Sequence, residues 1–293
     1  MPLEIVHSPV LAREVVDFLN IVPGGIYVDA TVGLGGHAKE IVSRIGSDGR
    51  IIGIDRDEEA LIIASERLSD GRIILTKGKF SDMETIVHRN GISQVDGVIF
   101  DIGVSMAQLK NHSRGFSYNS DDRLDMRMDT ESRLSAWEVV NTYPEKELGR
   151  ILHEFGEERF SKKIARAIID RRKEKRFETC RELSNLVEQV YRKRGRIHPA
   201  TRTFQALRIE VNRELDELRA GLDASALLLR KGGRLCVISY HSLEDRIVKR
   251  CFIENAKNGL FKILTKKPVI PGTKELRSNP SSRSAKLRSA EKL

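Results

Sequence analysis

Three cysteines in 293 residues leave little room for a disulfide framework. Cys180, Cys236 and Cys251 have no paired spacing, so no zinc or other metal ligand set is readable, and the usage fits a reducing cytoplasm. Cys236 lies in an apolar run and reads as a small core residue. Aromatic residues are equally scarce, at 5%, which points to an aliphatic core. No apolar run approaches the ~20 residues of a membrane-spanning helix. Residues 1–12 lack the basic-then-apolar order of a signal peptide. What the chain has in excess is positive charge: +9 overall, with a pI near 9.5. That excess favours a polyanionic partner, nucleic acid before a membrane surface.

The length allows one large domain or two ordinary ones. Residues 7–20 read as a helix, with Ser8 as N-cap and Pro9 at the first helical position. Strands and helices then alternate: strands at 26–30, 50–55, 72–76 and 95–101, helices at 36–45, 58–68 and 83–90. Apolar runs alternating with helices predict an α/β fold with a parallel sheet and right-handed crossovers. From 110 to 212 no buried strand is readable. Helix-period stretches at 136–141, 145–154, 161–175, 180–194 and 199–216 take over. A helix at 213–229 then leads through Lys231-Gly232-Gly233, a helix stop, into a strand at 234–239. A helical insert (110–212) in a discontinuous core (1–109 and 213–293) is the simplest organisation. A single domain with long helices is the alternative. A helix at 242–255 and two late strands, 261–265 and 283–287, expected to pair antiparallel, complete the order. The basic residues 283–292 are expected to fray.

The stretch Val28-Asp29-Ala30-Thr31-Val32-Gly33-Leu34-Gly35-Gly36-His37 carries the strongest local signal. A strand that turns through glycines into a helix brings backbone N–H groups close to a ligand. Asp55 ends the next strand, where an acid suits a pair of ribose hydroxyls. Gly33, Gly35 and Ala38 fit a dinucleotide pattern, so a nicotinamide cofactor is available, as is a tight turn with no ligand. Two features favour S-adenosylmethionine. Asp29 would repel a pyrophosphate but could meet a cationic amine, and Gly36-His37 widens the loop. The other strand ends are polar too: 77–81, 101–108 and 240–245. Phe80 could cover an adenine face or close the sheet edge. Asp101 ends the fourth strand, where packing does not require an acid. His241 is a candidate for chemistry; the alternative is a capping role for its neighbours Ser242 and Asp245.

These stretches, with His7-Ser8-Pro9-Val10-Leu11, Gly53-Ile54-Asp55-Arg56-Asp57, Asp101-Ile102-Gly103-Val104-Ser105, Arg114-Gly115-Phe116-Ser117, Leu124-Asp125-Met126-Arg127-Met128-Asp129, Gly156-Glu157-Glu158-Arg159-Phe160, His198-Pro199-Ala200-Thr201-Arg202-Thr203-Phe204-Gln205 and Ser239-Tyr240-His241-Ser242-Leu243-Glu244-Asp245-Arg246, span nearly the whole chain. On them the chain resembles the MraW family, bacterial methyltransferases that modify the exocyclic N(4) amine of a cytidine in small-subunit (16S) ribosomal RNA. The resemblance implies a Rossmann-like class I S-adenosylmethionine-dependent methyltransferase with an inserted all-helical domain that receives RNA. It implies that Gly35, Gly36 and His37 hold the methionyl part of the cofactor, Asp55 the ribose and Phe80 the adenine, with Asp101 and Gln108 completing the pocket. For RNA it points to Arg127, His198, Arg202 and Gln205. The implied partner is 16S ribosomal RNA within the small ribosomal subunit, with no membrane and with room for a homodimer.

Methylating a cytosine amine requires acceptors aimed at its N–H bonds, because its lone pair is delocalised into the ring. Asp101, Ser105 or a backbone carbonyl beside them could serve. The sequence lacks the Pro-Pro-aromatic that follows the acid or serine in DNA amino-methyltransferases. The base therefore needs a stacking partner elsewhere: Phe116, Tyr118 or Tyr240. Two basic runs in the insert, Arg171-Arg172-Lys173-Glu174-Lys175-Arg176 and Arg192-Lys193-Arg194-Gly195-Arg196, suit phosphate contacts.

Overall fold

A computed structural model describes residues 9–104, 108, 114–191, 195 and 197–293. Its contacts divide the chain into two units, one made of Met1–Gly103 with Leu215–Leu293, the other of Val104–Glu214.

The first unit is a seven-stranded sheet. In chain order its elements are α1 (Ala12–Leu19), β1 (Ile26–Asp29), α2 (Gly36–Val42), β2 (Arg50–Asp55), α3 (Glu58–Arg67), β3 (Ile73–Lys77), α4 (Met83–Arg89) and β4 (Val95–Asp101). After the second unit come β5 (Leu229–Ser239), β6 (Phe261–Ile263) and β7 (Lys286–Lys292). The order across the sheet is β3-β2-β1-β4-β5-β7-β6. The first five strands are parallel; β7 runs antiparallel between β5 and β6.

Alternation along each strand explains the layers. Val28, Ile52, Val98 and Val237 face one apolar cluster, whereas Tyr27, Ile51, Ile99 and Cys236 face another. Adjacent residues on a strand point to opposite faces, so a strand apolar throughout needs cover on both. The first face is covered by α4 and by two long helices, α10 (Glu214–Leu228) and α11 (Ser242–Lys257), through Met83, Leu218, Leu222, Val248 and Phe252. The second is covered by α1, α2 and α3 through Val15, Leu19, Ala38, Ile41 and Ala64.

Several boundaries differ from the sequence reading. The first helix begins at Ala12, and Leu11 caps it in a left-handed conformation at φ 52°. Pro9 therefore precedes the helix, and Ser8 lies outside the described residues. Lys231-Gly232-Gly233 does not precede β5 but lies inside it. The pairing jumps from Val95↔Leu229 to Gly97↔Arg234, and Gly232 takes φ 79° at the irregularity. Residues 283–292 do not fray. Arg283 belongs to a short 3-10 turn (Pro280–Ser284), and Lys286–Lys292 form β7, buried from Leu287 to Ala290.

The second unit is helical: α5 (Ala136–Thr142), α6 (Glu145–Glu154), α7 (Ser161–Glu174), α8 (Cys180–Val190) and α9 (Ala200–Asn212). They share a core that includes Leu148, Ile151, Ile164, Phe177, Leu183 and Leu207. The expected helix at 199–216 is broken. Arg213 adopts φ 49°, which ends α9 before α10 begins. Asn212 donates to the Met126 and Arg208 carbonyls and accepts from the Met128 N–H, fixing the end of α9 to the loop at 124–129.

A Cβ at Gly221 in α10 would stand 2.7 Å from the Phe80 Cβ and 2.9 Å from the Phe100 ring. Gly221→Ala is expected to destabilise the fold by ~1–3 kcal/mol through overpacking, despite alanine's better helix propensity. Urea unfolding measures this; a variant as stable as the parent would contradict the packing described.

Candidate active site

Adjacent strands put three acids on one edge of the sheet. Asp29 ends β1, Asp55 ends β2 and Asp101 ends β4. Asp29 pairs with Gly53 on one side and Ile99 on the other. Asp55 and Asp101 therefore each stand two residues further along, flanking it.

The loop between β1 and α2 is built around these carboxylates. The Gly33 N–H donates to Asp55 Oδ2 at 2.9 Å, and the Asp57 N–H to Asp55 Oδ1 at 2.9 Å. Gly33 makes its contact at φ 49°, and Gly35 caps α2 at φ 84°, conformations that favour glycine. A Cβ at Gly35 would strike Leu68 at 2.6 Å, and one at Gly36 would approach Pro9 at 3.1 Å. The missing side chains of Gly35 and Gly36 thus face protein, so a ligand would meet these residues through their backbone. The Thr31 hydroxyl accepts the Asp101 N–H at 2.6 Å, tying the loop to β4.

Each acid is held differently. Asp29 is buried and accepts only the Thr31 N–H, at 3.2 Å, among the hydrogen bonds of the described residues. Burial pushes its pKa up to about 6, against the lowering effect of His37 and the Thr31 N–H. Burial likewise raises the pKa of Asp55, opposed by the N–H groups of Asp57 and Gly33. Asp101 accepts the Tyr240 hydroxyl on Oδ1 at 2.7 Å, and its Oδ2 lies 3.5 Å from His37 Nε2. His37 is buried, and neither ring nitrogen has a hydrogen bond among the described residues. Burial opposes its protonation, but the Asp101 and Asp29 carboxylates outweigh that and raise its pKa. Burial and the Asp101 carboxylate both raise the pKa of the Tyr240 phenol, keeping it a hydrogen-bond donor.

Phe80 opens a short 3-10 turn after β3. Its ring meets Phe100 edge-on at 5.2 Å, and the Arg56 guanidinium lies 5.4 Å from its centroid. It closes the sheet edge and stays partly exposed, so the two sequence readings are compatible.

Gln108 is buried in the second unit, and Ser105 lies outside the described residues. His241 is the N-cap of α11: its Nδ1 accepts the Glu244 N–H at 3.4 Å, while Nε2 stands 3.0 Å from Glu244 Oε1. Capping thus falls to His241 and Glu244, not to Ser242 and Asp245. Tyr240 packs over Gly103 and is anchored through its hydroxyl, which argues against a role as base stacker. Phe116 is buried in the helical core, and Tyr118 stacks on His198 at 4.2 Å. Tyr240's bond to Asp101 was missed by sequence reasoning. The available signal was a phenol one residue beyond a strand that neighbours β4.

Among the RNA candidates, Arg127 is a loop staple. Its guanidinium binds both oxygens of Asp125 and the carbonyls of Thr130 and Ser132. His198 is 2.7 Å from Glu188 and accepts the Ala200 N–H. Gln205 donates to the Phe155 carbonyl, and Arg202, which is exposed, to the Glu157 carbonyl. The run at 171–176 is also engaged. Arg171 binds the Lys175 carbonyl, Arg172 the Val140 carbonyl, Lys173 Asp170 and Lys175 Glu182, while Arg176 lies over Trp137. Of the second run only Gly195 is described.

The strand order, five parallel strands followed by an antiparallel partner, is that of a Rossmann-like α/β fold. A solved structure from Clostridium thermocellum, described as a candidate rRNA methylase, superposes with a TM-score of 0.50 at 13% identity, covering 98% of this chain and 100% of its own; this likeness concerns the fold alone. The profile of the MraW methylase family matches residues 4–293. The ribosomal RNA small subunit methyltransferase H of Persephonella marina is 51% identical over 98% of this chain and 99% of its own. The protein of that name from Caldicellulosiruptor bescii is 48% identical, with the same coverage of each chain.

A carboxylate whose pKa is higher folded than unfolded makes the fold less stable as pH rises between the two values. For Asp29 that window runs from about 4 to about 6. Asp29→Asn is therefore expected to flatten the decline in stability across this window. It should leave the ligand-free protein up to ~3 kcal/mol more stable at pH 7. Denaturant midpoints of both proteins at pH 4, 5, 6 and 7 test this; parallel profiles would contradict it.

Proposed function

The chain belongs to the MraW methylase family, and from that membership and the three strand-end acids we propose that it methylates small-subunit (16S) ribosomal RNA at the N(4) amine of a cytidine. The methyl donor is S-adenosylmethionine, which supplies an electrophilic methyl carbon on a cationic sulfur. The carrying observation is the convergence of Asp29, Asp55 and Asp101 on one edge of the sheet, with Asp29 buried between the other two. Such a site favours a cationic ligand over the pyrophosphate of a nicotinamide cofactor, because like charge would add to a cluster already costly to bury. The donor's sulfonium and ammonium meet this requirement.

The residues fit the donor in kind. Asp55 keeps further lone pairs for ribose hydroxyls beyond its two backbone contacts. The backbone of Gly35 and Gly36, the Nδ1 of His37, which has no hydrogen bond among the described residues, and the Asp29 carboxylate suit the methionyl group. Phe80 offers an apolar ring to the adenine.

Asp101 is the acceptor we assign to the amine. The Tyr240 hydroxyl and His37 hold it from two sides. A carboxylate fixed in this way can accept the amine's N–H, localise the nitrogen lone pair and take the proton as positive charge develops. The target cytidine must be unpaired or extruded to reach this edge. The three cysteines are unpaired thiols, consistent with the cytoplasm where ribosomal subunits are available.

Incubating the enzyme with labelled S-adenosylmethionine and small ribosomal subunits, or the naked RNA, is expected to label N(4)-methylcytidine after digestion to nucleosides. Label in another nucleoside, or none with either substrate, would overturn the assignment. Tyr240→Phe should lower kcat by ~10–100-fold and leave donor affinity within about threefold, since it loosens the acceptor and spares the cofactor contacts. An unchanged kcat would remove Tyr240 from the mechanism.

A further inference from the structure

The basic run in the helical unit is engaged internally, yet the chain carries exposed cations elsewhere. Residues 264–285, the connection from β6 to β7, contain Lys266, Lys267, Lys274, Arg277 and Arg283 against one acid, Glu275. All five cations are exposed, and none has a hydrogen-bond or ion-pair partner among the described residues.

Topology sets where this connection lies. Ser239, at the carboxyl end of β5, pairs with Lys286 at the start of β7. β6 is antiparallel to β7, with Ile263 opposite Ala290, so β6 also ends towards this edge. Residues 264–285 therefore span the edge that holds Asp29, Asp55 and Asp101. Local contacts fix the segment there. Val269 and Leu287 exchange two backbone hydrogen bonds, at 2.9 and 2.8 Å. Glu275, on the short helix α12 (Thr273–Ser278), accepts the Leu11 N–H at 2.8 Å. Pro9, two residues before Leu11, packs against Gly36 of the cofactor loop. Glu275 also acts electrostatically on Tyr240. The one acid is thus turned inward as an anchor, while the cations beside it face solvent.

We propose that residues 264–285 form a phosphate-binding rim on the catalytic edge, with Lys266, Lys267, Lys274, Arg277 and Arg283 holding the RNA backbone next to the target cytidine. The inference rests on the methyltransferase reading above and goes beyond it by assigning RNA contacts to the sheet-bearing unit. An unpaired cation is the better phosphate ligand, because no internal partner has to be released before counterions are. Phosphate contacts position the strand without reading its sequence.

The test replaces all five residues by Gln in the full-length chain, with Lys266→Gln/Lys267→Gln and Lys274→Gln/Arg277→Gln as smaller sets. Binding to a small-subunit RNA transcript is measured across salt concentrations, alongside calorimetric binding of S-adenosylmethionine. The slope of log affinity against log salt should become shallower by ~0.7 for each cation that contacts a phosphate, with each double variant giving part of the effect. Cofactor affinity should be unchanged, which also reports folding. The comparator Arg171→Gln/Lys173→Gln/Lys175→Gln should change the slope less. A five-fold variant with the parent's slope and intact cofactor binding would overturn the rim while leaving the methyltransferase assignment standing. Parent protein that neither binds nor methylates the RNA would overturn both. Loss of binding to phosphatidylserine vesicles with RNA binding unchanged would assign the surface to a membrane and refute the proposal.

Discussion

Like charge held at close quarters is the constraint that shapes this molecule. Neighbouring strands of a sheet lie ~4.8 Å apart, so acids that end adjacent strands cannot avoid one another. Asp55 and Asp101 both act on Asp29 and help to keep its pKa near 6. The surrounding structure offsets the cost in different ways. Asp55 takes two backbone N–H groups, Asp101 a phenol and an imidazole, and Asp29 one N–H together with the field of His37. Offsetting is incomplete at Asp29, and that residual demand for positive charge connects the geometry to a cationic methyl donor.

The remainder of the first unit serves to keep that edge fixed. Helices on both faces bury the strands from two sides, and burying each large aliphatic side chain contributes ~1.5–3 kcal/mol. β7 then closes the sheet by returning antiparallel beside β5, which carries the β6–β7 connection back to the carboxyl edge. A strand order chosen by chain topology thus determines which basic residues can stand near the chemistry.

Much of the core was legible because its signals are local. Apolar runs bounded by glycines mark β1, β2 and β4, and the acids follow them directly. Other features depend on partners distant in sequence. Nothing near Tyr240 says that its hydroxyl meets Asp101, 139 residues away. The sequence shows the charge of Arg127 and of the run at 171–176 but not the carboxylate, carbonyl and aromatic partners they meet in the fold. The left-handed turn at Arg213 is invisible because the helix period continues through it. Charge is legible in a sequence; whether that charge is already paired is not.

The same distinction explains the motifs of the helical unit. Arg114 donates to the carbonyls of Arg127 and Met128, and buried Glu158 accepts the Phe160 N–H and the Tyr191 hydroxyl. These residues shape the loops of the unit. The most direct test of the central claim is a crystal structure of the protein soaked with S-adenosylmethionine. The donor should lie along the carboxyl edge, with its ribose on Asp55 and its methionyl group between Asp29 and the backbone of Gly35 and Gly36. A donor bound away from all three acids would contradict the account.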